Sequence, residues 1–276
     1  MQNLKGKTAV VVGGGQGIGR GIALAFAREG MNVAVLDIEE SAAKSVAQEI
    51  QDLGTRGFGC RADVTNVDYL NAAAREVTAA LGPVHVLSNN AGVIVPQGPI
   101  TEKKAADWEW VFSVNLFGIV NCVQTFLPAI RAHGKGGHIV NTSSAAGLIA
   151  IHDLEVGIYT ASKYACNGYS EILRGELAEE NIGVSVLCPG LIATNLSQTS
   201  ARNRPARFGG PQPEPAAMTE ELVAQAMRPE DVGPVVVRGI QANRLTILTH
   251  PEMVISMTAK RFAGIKADGE AEAKER

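Results

Sequence analysis

The sequence predicts an α/β fold in which a doubly wound parallel sheet of about seven strands carries helices on both faces. Two observations lead there. Short β-branched runs alternate with longer helical stretches along the body of the chain, and most of those runs are apolar at nearly every position. A strand apolar throughout is buried on both faces, and strands separated by helices run parallel because each helix carries the chain back across the sheet.

TAVVVG (8–13) is the first strand, GIGRGIALAFAREG (17–30) a helix closed by glycine, and NVAVLD (32–37) the second strand. EESAAKSVAQEIQDLG reads as the next helix, GFGCRAD as a third strand ending at Asp63, VDYLNAAAREVTAALG as a helix and VHVLSNN as a fourth strand. A long helix from Ala105 to about His133, the strand GHIVNTSS, a helix following Tyr159, the strand VSVLCPG (184–190) and a late strand RLTILTH (244–250) complete the alternation. Residues 1–265 form a single domain in this reading. Residues 195–228, rich in Pro, Gly, Arg and Gln between a strand end and the next helix, are placed as a substrate lid. Residues 266–276, KADGEAEAKER without its flanks, form a polar tail expected to fray.

The chain has 276 residues, 46% of them hydrophobic, which suffices for one sizeable core. Its formal net charge of -3 provides no basic footprint for nucleic acid. The apolar run near the N-terminus is too short to span a bilayer and lacks a small-residue cleavage site, so neither a signal peptide nor a membrane segment is expected. The four cysteines, Cys60, Cys122, Cys166 and Cys188, are scattered without CxxC spacing or a histidine cluster. A cytoplasmic chain with reduced thiols and no metal site follows.

In a doubly wound sheet, ligands bind at the carboxyl ends of the strands. The first strand runs into GGGQGIGRG, giving Gly13-x-x-x-Gly17-x-Gly19 with Gln16 and Ile18 between. Glycines there allow a tight turn and close approach to a pyrophosphate, whose charge meets the free N–H groups of the following helix. Asp37 ends the second strand, where a carboxylate accepts hydrogen bonds from an adenosine ribose and repels a 2′-phosphate. Ile38, Glu39 and Glu40 bring no cation to welcome such a phosphate, so NAD is favoured over NADP. Asp63, ending the third strand before Val64, can reach an adenine. The glycine loop also suits a methyltransferase that binds a sulfonium nucleoside.

Together, VGGGQGIG, Asp37, Asp63-Val64, SNNAG (88–92), VNLFG (114–118), IVNTSSAAG (139–147), YTASK (159–163) and CPGLIAT (188–194) resemble the short-chain dehydrogenase/reductase family, of the compact Rossmann-type kind. The similarity runs from Lys7 to about Phe262. Two departures stand out: Val12 replaces a threonine common in the family, and the spacing from Ser144 to Tyr159 exceeds the commonest one by two residues, through IHDLEVGI.

The resemblance implies a hydride transfer between nicotinamide and a carbon bearing a hydroxyl or carbonyl, with Tyr159 moving the proton. A free tyrosine, titrating near pH ~10, is a poor base at neutrality. Residues i and i+4 share a helix face, so the Lys163 ammonium can stand beside the phenol and favour its ionised form. The resemblance further implies that Ser144, with Ser143 as runner-up, bonds the substrate oxygen, and that Asn115 holds a water linking the lysine to solvent. It places Asn89 and Gly92 beside the adenine-side ribose, and Pro189, Gly190, Ile192 and Thr194 at the nicotinamide carboxamide.

The remaining candidates read as structural: His85, His133, His138 and His250, and also His152, although its place in the unusual insertion could bring it to substrate. Arg202, Arg204 and Arg207 could attract an anion, although loop arginines usually contact only water; Trp108 and Trp110 are expected to pack. NLSQTSARNRPARFGG and the late THPE are similar to a branch of dehydrogenases acting on aryl-propane benzylic alcohols, suggesting a bulky, aromatic or alicyclic secondary alcohol. A nucleotide-binding regulatory protein that lost turnover is the competing reading. Small and apolar residues on more than one face of the helices at 105–133 and 159–180 point to a homodimer or homotetramer.

Overall fold

The computed structural model describes residues 1–275. Its elements are β1 Thr8–Val12, α1 Gly17–Arg28, β2 Asn32–Asp37, α2 Glu40–Asp52, β3 Gly57–Arg61, α3 Val67–Leu81, β4 Val84–Asn89, α4 Ala105–Phe112, α5 Gly118–Ala132, β5 Gly137–Thr142, α6 Gly157–Glu176, β6 Ile182–Cys188, α7 Leu196–Arg202, α8 Glu220–Gln225, α9 Pro229–Gln241, β7 Thr246–Leu248 and α10 Pro251–Lys274.

The seven strands form one sheet in the order β3-β2-β1-β4-β5-β6-β7, every pairing parallel. Successive strands move outward from β1 in one direction and then, from β4 on, in the other. The strand order therefore reverses between β1 and β4, which opens a crevice above their carboxyl ends. Strand alternation divides the core between the two faces. Val10 and Val12 of β1 join Leu87, Phe126 and Ile139 on one side, while Ala9 and Val11 join Ile22, Phe26 and Val35 on the other.

Four elements differ from the sequence expectation. The long helix is not uniform: α4 and α5 are joined by a π-helical turn at Ser113–Phe117. β3 stops at Arg61, leaving Asp63 in the loop that follows, where its Oδ1 accepts from the amide and hydroxyl of Thr65 at 2.9 and 2.7 Å. The last strand is only three residues long. The C-terminal segment does not fray at 266: α10 continues to Lys274, because Ala, Glu and Lys are strong helix formers whatever their polarity, and Lys266 and Glu270 face each other at 3.6 Å. The run Ala105–Ala132 is long and apolar enough to cross a membrane by length and composition, but Trp110, Phe126 and Ile130 bury it in the sheet core.

Candidate active site

A cleft of about 330 Å³ lies above the carboxyl ends of the strands, reaching from the β1 loop to Tyr159 and Lys163. Gly13 forms its floor. With φ +71°, it adopts a left-handed conformation, and a Cβ there would stand 2.6 Å from the backbone of Ala91. The loop is tied where the family's threonine is missing: Asn90 donates its amide to the Val12 carbonyl at 2.9 Å and its side chain to the Gly13 carbonyl at 3.0 Å. Asp37 closes the cradle, its carboxylate accepting from the amides of Gly15 (2.9 Å) and Glu39 (3.0 Å). Burial pushes this carboxyl above the ordinary aspartate range, and the two amides pull it partly back.

At the other end, α6 carries Tyr159 and Lys163 on one face. The Lys163 ammonium sits 5.3 Å from the centre of the Tyr159 ring and donates to the Thr142 carbonyl at 2.9 Å. The two serines after β5 differ in what they are free to do. The Ser143 hydroxyl is buried and donates to the Lys163 carbonyl at 2.9 Å, whereas the Ser144 oxygen accepts from the Ala146 amide, leaving its proton for the cleft. Asn115 is fully buried in the π-helical turn; it pairs with both backbone groups of Val93 and donates to the Ser162 hydroxyl. A Cβ on Gly92 would lie 3.5 Å from both Asn115 Oδ1 and Lys163 Nζ, so this glycine keeps the wall open beside the lysine.

Pro189, Gly190, Ile192 and Thr194 line the same cleft. The Pro189 carbonyl accepts from Ala145 and the Gly190 amide donates to Thr249 Oγ1, whose oxygen meets His250 Nδ1 at 2.7 Å. Thr194 comes back to the β1 loop: a Cβ on Gly17 would stand 3.4 Å from its methyl group. No cluster of His, Cys, Asp and Glu suited to a metal occurs among the described residues. A glycine cradle, an acidic strand end and a Ser-Tyr-Lys group in one cleft are the parts a nicotinamide-linked oxidoreductase needs.

Comparison with known proteins decides the family, since the family model described as short chain dehydrogenase matches residues 7–205. The chain belongs to the short-chain dehydrogenase family. It is 31% identical over 257 residues to a C alpha-dehydrogenase of Sphingobium sp., covering 92% of this chain and 83% of that one. It is 35% identical over 190 residues to a cyclohexanol dehydrogenase of Acinetobacter sp., covering 69% and 74%. A short-chain dehydrogenase/reductase from Burkholderia phymatum, solved in complex with NAD, superposes with a TM-score of 0.86 at 32% identity, covering 97% of both chains.

Within this short-chain dehydrogenase, Gly13, Gln16, Gly17, Ile18, Asp37, Ile38, Asp63, Val64 and Gly92 come together in the cleft with Ser144, Tyr159 and Lys163. Three sequence-expected residues do not line it. Gly19 lies behind the loop, where a Cβ would stand 2.0 Å from the Gly13 carbonyl, so it allows helix and loop to close-pack. Asn115 acts from behind Val93. Asn89 is the last residue of β4; its side chain points into the protein and donates to Asn141 at 2.8 Å, continuing through Ser170 into α6, so only its backbone stands toward the cleft end of the strand. Its neighbour Asn90 faces the cleft instead, because successive side chains leave a strand on opposite faces.

The insertion before Tyr159 stays outside: His152 is exposed, and the Glu155 carbonyl, on a residue with φ +48°, accepts from Gly98. The lid arginines do not contact water alone. Arg202 pairs with Glu39 and Glu214, Arg207 donates to Thr65 Oγ1, and Arg204 is buried against Asp107. Trp110 lines the cleft as well as packing, a role that nothing in its sequence surroundings signals.

Proposed function

We propose that this enzyme is an NAD-dependent alcohol dehydrogenase/ketone reductase acting on an uncharged, bulky secondary alcohol or its ketone. The observation that carries this reading is a single cleft joining Ser144, Tyr159 and Lys163 to a glycine floor closed by Asp37. The cradle fits a dinucleotide, since Gly13, Gln16, Gly17 and Ile18 line the cleft at the start of α1, Gly13 letting the β1 loop pack against the Ala91 backbone, and Asp37 offers oxygens to a ribose. NAD, when bound, supplies the hydride acceptor. Gly13, Gln16, Gly17 and Ile18 hold its pyrophosphate side, Asp37, Ile38, Asp63 and Val64 its adenosine, and Pro189, Gly190, Ile192 and Thr194 its nicotinamide side; Gly92, expected beside the adenine-side ribose, stands next to Lys163 instead and joins the nicotinamide side.

Ser144 donates its free proton to the substrate oxygen and fixes that oxygen toward Tyr159. Tyr159, with the Lys163 ammonium 5.3 Å from its ring centre, takes the hydroxyl proton in the oxidative direction and returns it in the reductive one. Asn115 acts by positioning: its amide holds the Val93 loop and Ser162 in place beside the lysine.

The charged groups lining the cleft are Asp37, Asp63 and Lys163, the first two at the adenosine end. A substrate carboxylate therefore has no cation there besides the catalytic lysine. The likeness to a cyclohexanol dehydrogenase supports an alicyclic substrate. Four buried free thiols support a reducing cytoplasmic setting, and the exposed Phe117 and Ile172 support burial of the α5 and α6 surfaces in a homodimer or homotetramer.

The test is a titration with NADH and NADPH followed by nicotinamide fluorescence, repeated with Asp37→Ala. NADH preference lost in the variant, and NADH formation from benzylic or alicyclic alcohols but not small hydroxy acids, supports the whole reading. NADPH preference overturns the assignment of Asp37. NADH binding with no turnover of any alcohol would favour a regulatory protein.

A further inference from the structure

The segment after β6 does not hang over the substrate end alone. It leaves the body beside Met227, where the Ala193 amide donates to the Met227 carbonyl and the Met227 amide to Leu191, and from this narrow base it crosses the whole cleft. Asn195 donates to Gln16 in the β1 loop at 2.8 Å, and Ser200 accepts from the Ile94 amide in the β4 loop at 3.0 Å. Asn203 and Arg202 both donate to Glu39 just past β2, and Arg207 donates to Thr65 just past β3. Leu196, Thr199, Asn203 and Pro205 face the cleft from above. The segment is a strap that reaches the two strand ends assigned to the adenosine.

Most of its fastenings are weak. The Arg202–Glu39 pair is 45% and 31% exposed, and exposed pairs contribute little once solvent screens them. Arg204 is different. Its side chain is 7% exposed; Nη1 meets Asp107 Oδ1 at 2.7 Å, Nε donates to the Phe208 carbonyl at 2.7 Å, and the guanidinium lies 5.1 Å from the centre of the Trp110 ring. All its bonds are internal, and it does not line the cleft. Its chain neighbours Asn203 and Pro205 do, and so does Trp110.

We propose that Arg204 is the positioning residue that pins the strap across the adenosine half of the cleft and so governs cofactor release. This rests on the NAD reading above. A desolvated arginine held by a carboxylate, a carbonyl and an indole face is costly to free, so opening the strap means breaking this one anchor. Trp110 is fixed from behind by the same contact, which couples the strap to α4.

The test removes both charges together, since a lone buried partner would endanger the fold: Arg204→Met with Asp107→Asn, which keeps an acceptor for the Lys104 amide at the start of α4. Displacement of NADH is followed by stopped flow, and trypsin cleavage after Arg202 and Arg207 is timed in the cofactor-free protein. The expected result is NADH dissociation faster by about tenfold and cleavage faster by a similar factor, the scale of one desolvated charge-assisted bond. Unchanged rates in both, with the thermal midpoint retained, overturn the proposal. Should wild type bind no NADH, the cofactor reading falls and the cleavage rates alone decide whether Arg204 anchors the strap. If the double variant loses its fold, Arg204→Lys carries the same measurements, with a smaller acceleration expected and no acceleration counting against the anchor.

Discussion

The Lys163 ammonium stands 5.3 Å from the centre of the Tyr159 ring while donating to the Thr142 carbonyl, so the backbone end of β5 sets where the charge sits beside the phenol. Tyr159→Phe should lower kcat by roughly 10²–10⁴-fold with NADH affinity nearly intact. Lys163→Met should lower both, since the lysine also faces the cofactor side of the cleft. Steady-state kinetics paired with NADH titration separates the two.

Ser143 and Ser144 should separate in the same way. Ser144→Ala removes the free donor and should reduce kcat by about 10²-fold or more without changing the melting temperature. Ser143→Ala breaks the bond to the Lys163 carbonyl and should cost about 1 kcal/mol of stability, read by denaturant unfolding.

Asp37 makes cofactor affinity depend on pH. Its carboxyl is raised by burial, so as pH falls through that raised value it gains a proton and loses acceptor capacity toward the ribose. NADH affinity should weaken on the acid side, and Asp37→Asn should flatten the profile at a weaker level. Stability runs the other way for this group: a raised carboxyl favours the folded state when protonated, and that contribution disappears as pH rises through the folded value.

Two histidines near the starts of β4 and β5 should dominate acid sensitivity. Burial lowers His138 to about 3, and burial together with the stacked His133 ring lowers His85 to about 4. Both stay neutral when folded but take up a proton when unfolded below about 6.5, so stability present above that pH is lost as pH falls toward the folded values. Thermal melts between pH 8 and 5 should show the midpoint falling, less steeply in His85→Asn, whose amide oxygen can still accept from Thr8.

The parallel sheet was legible because apolar runs and glycine-bounded helices state the topology locally, and the cleft because doubly wound sheets bind at strand ends. What escaped the sequence depends on orientation. Asn89 and Asn90 are identical letters, and only the last pleat of β4 decides which faces the ligand. Arg204 looked like a solvated loop cation because its α4 partners, Asp107 and Trp110, become neighbours only after the strap folds over that helix. The polar letters after Lys266 suggested fraying, yet helix propensity outweighed polarity.

The π-helical turn at Ser113–Phe117 has an evolutionary corollary. A turn widened by one residue lets α4 bury Trp110 and Val111 while α5 buries Cys122, Val123 and Phe126, with Asn115 set between them. Deleting any single residue there would close the wide turn into a regular one and take Asn115 from its place between α4 and α5. The count of residues in this stretch is thus held more tightly than their identity, and descendants of this gene should accept substitutions there far more readily than changes in length.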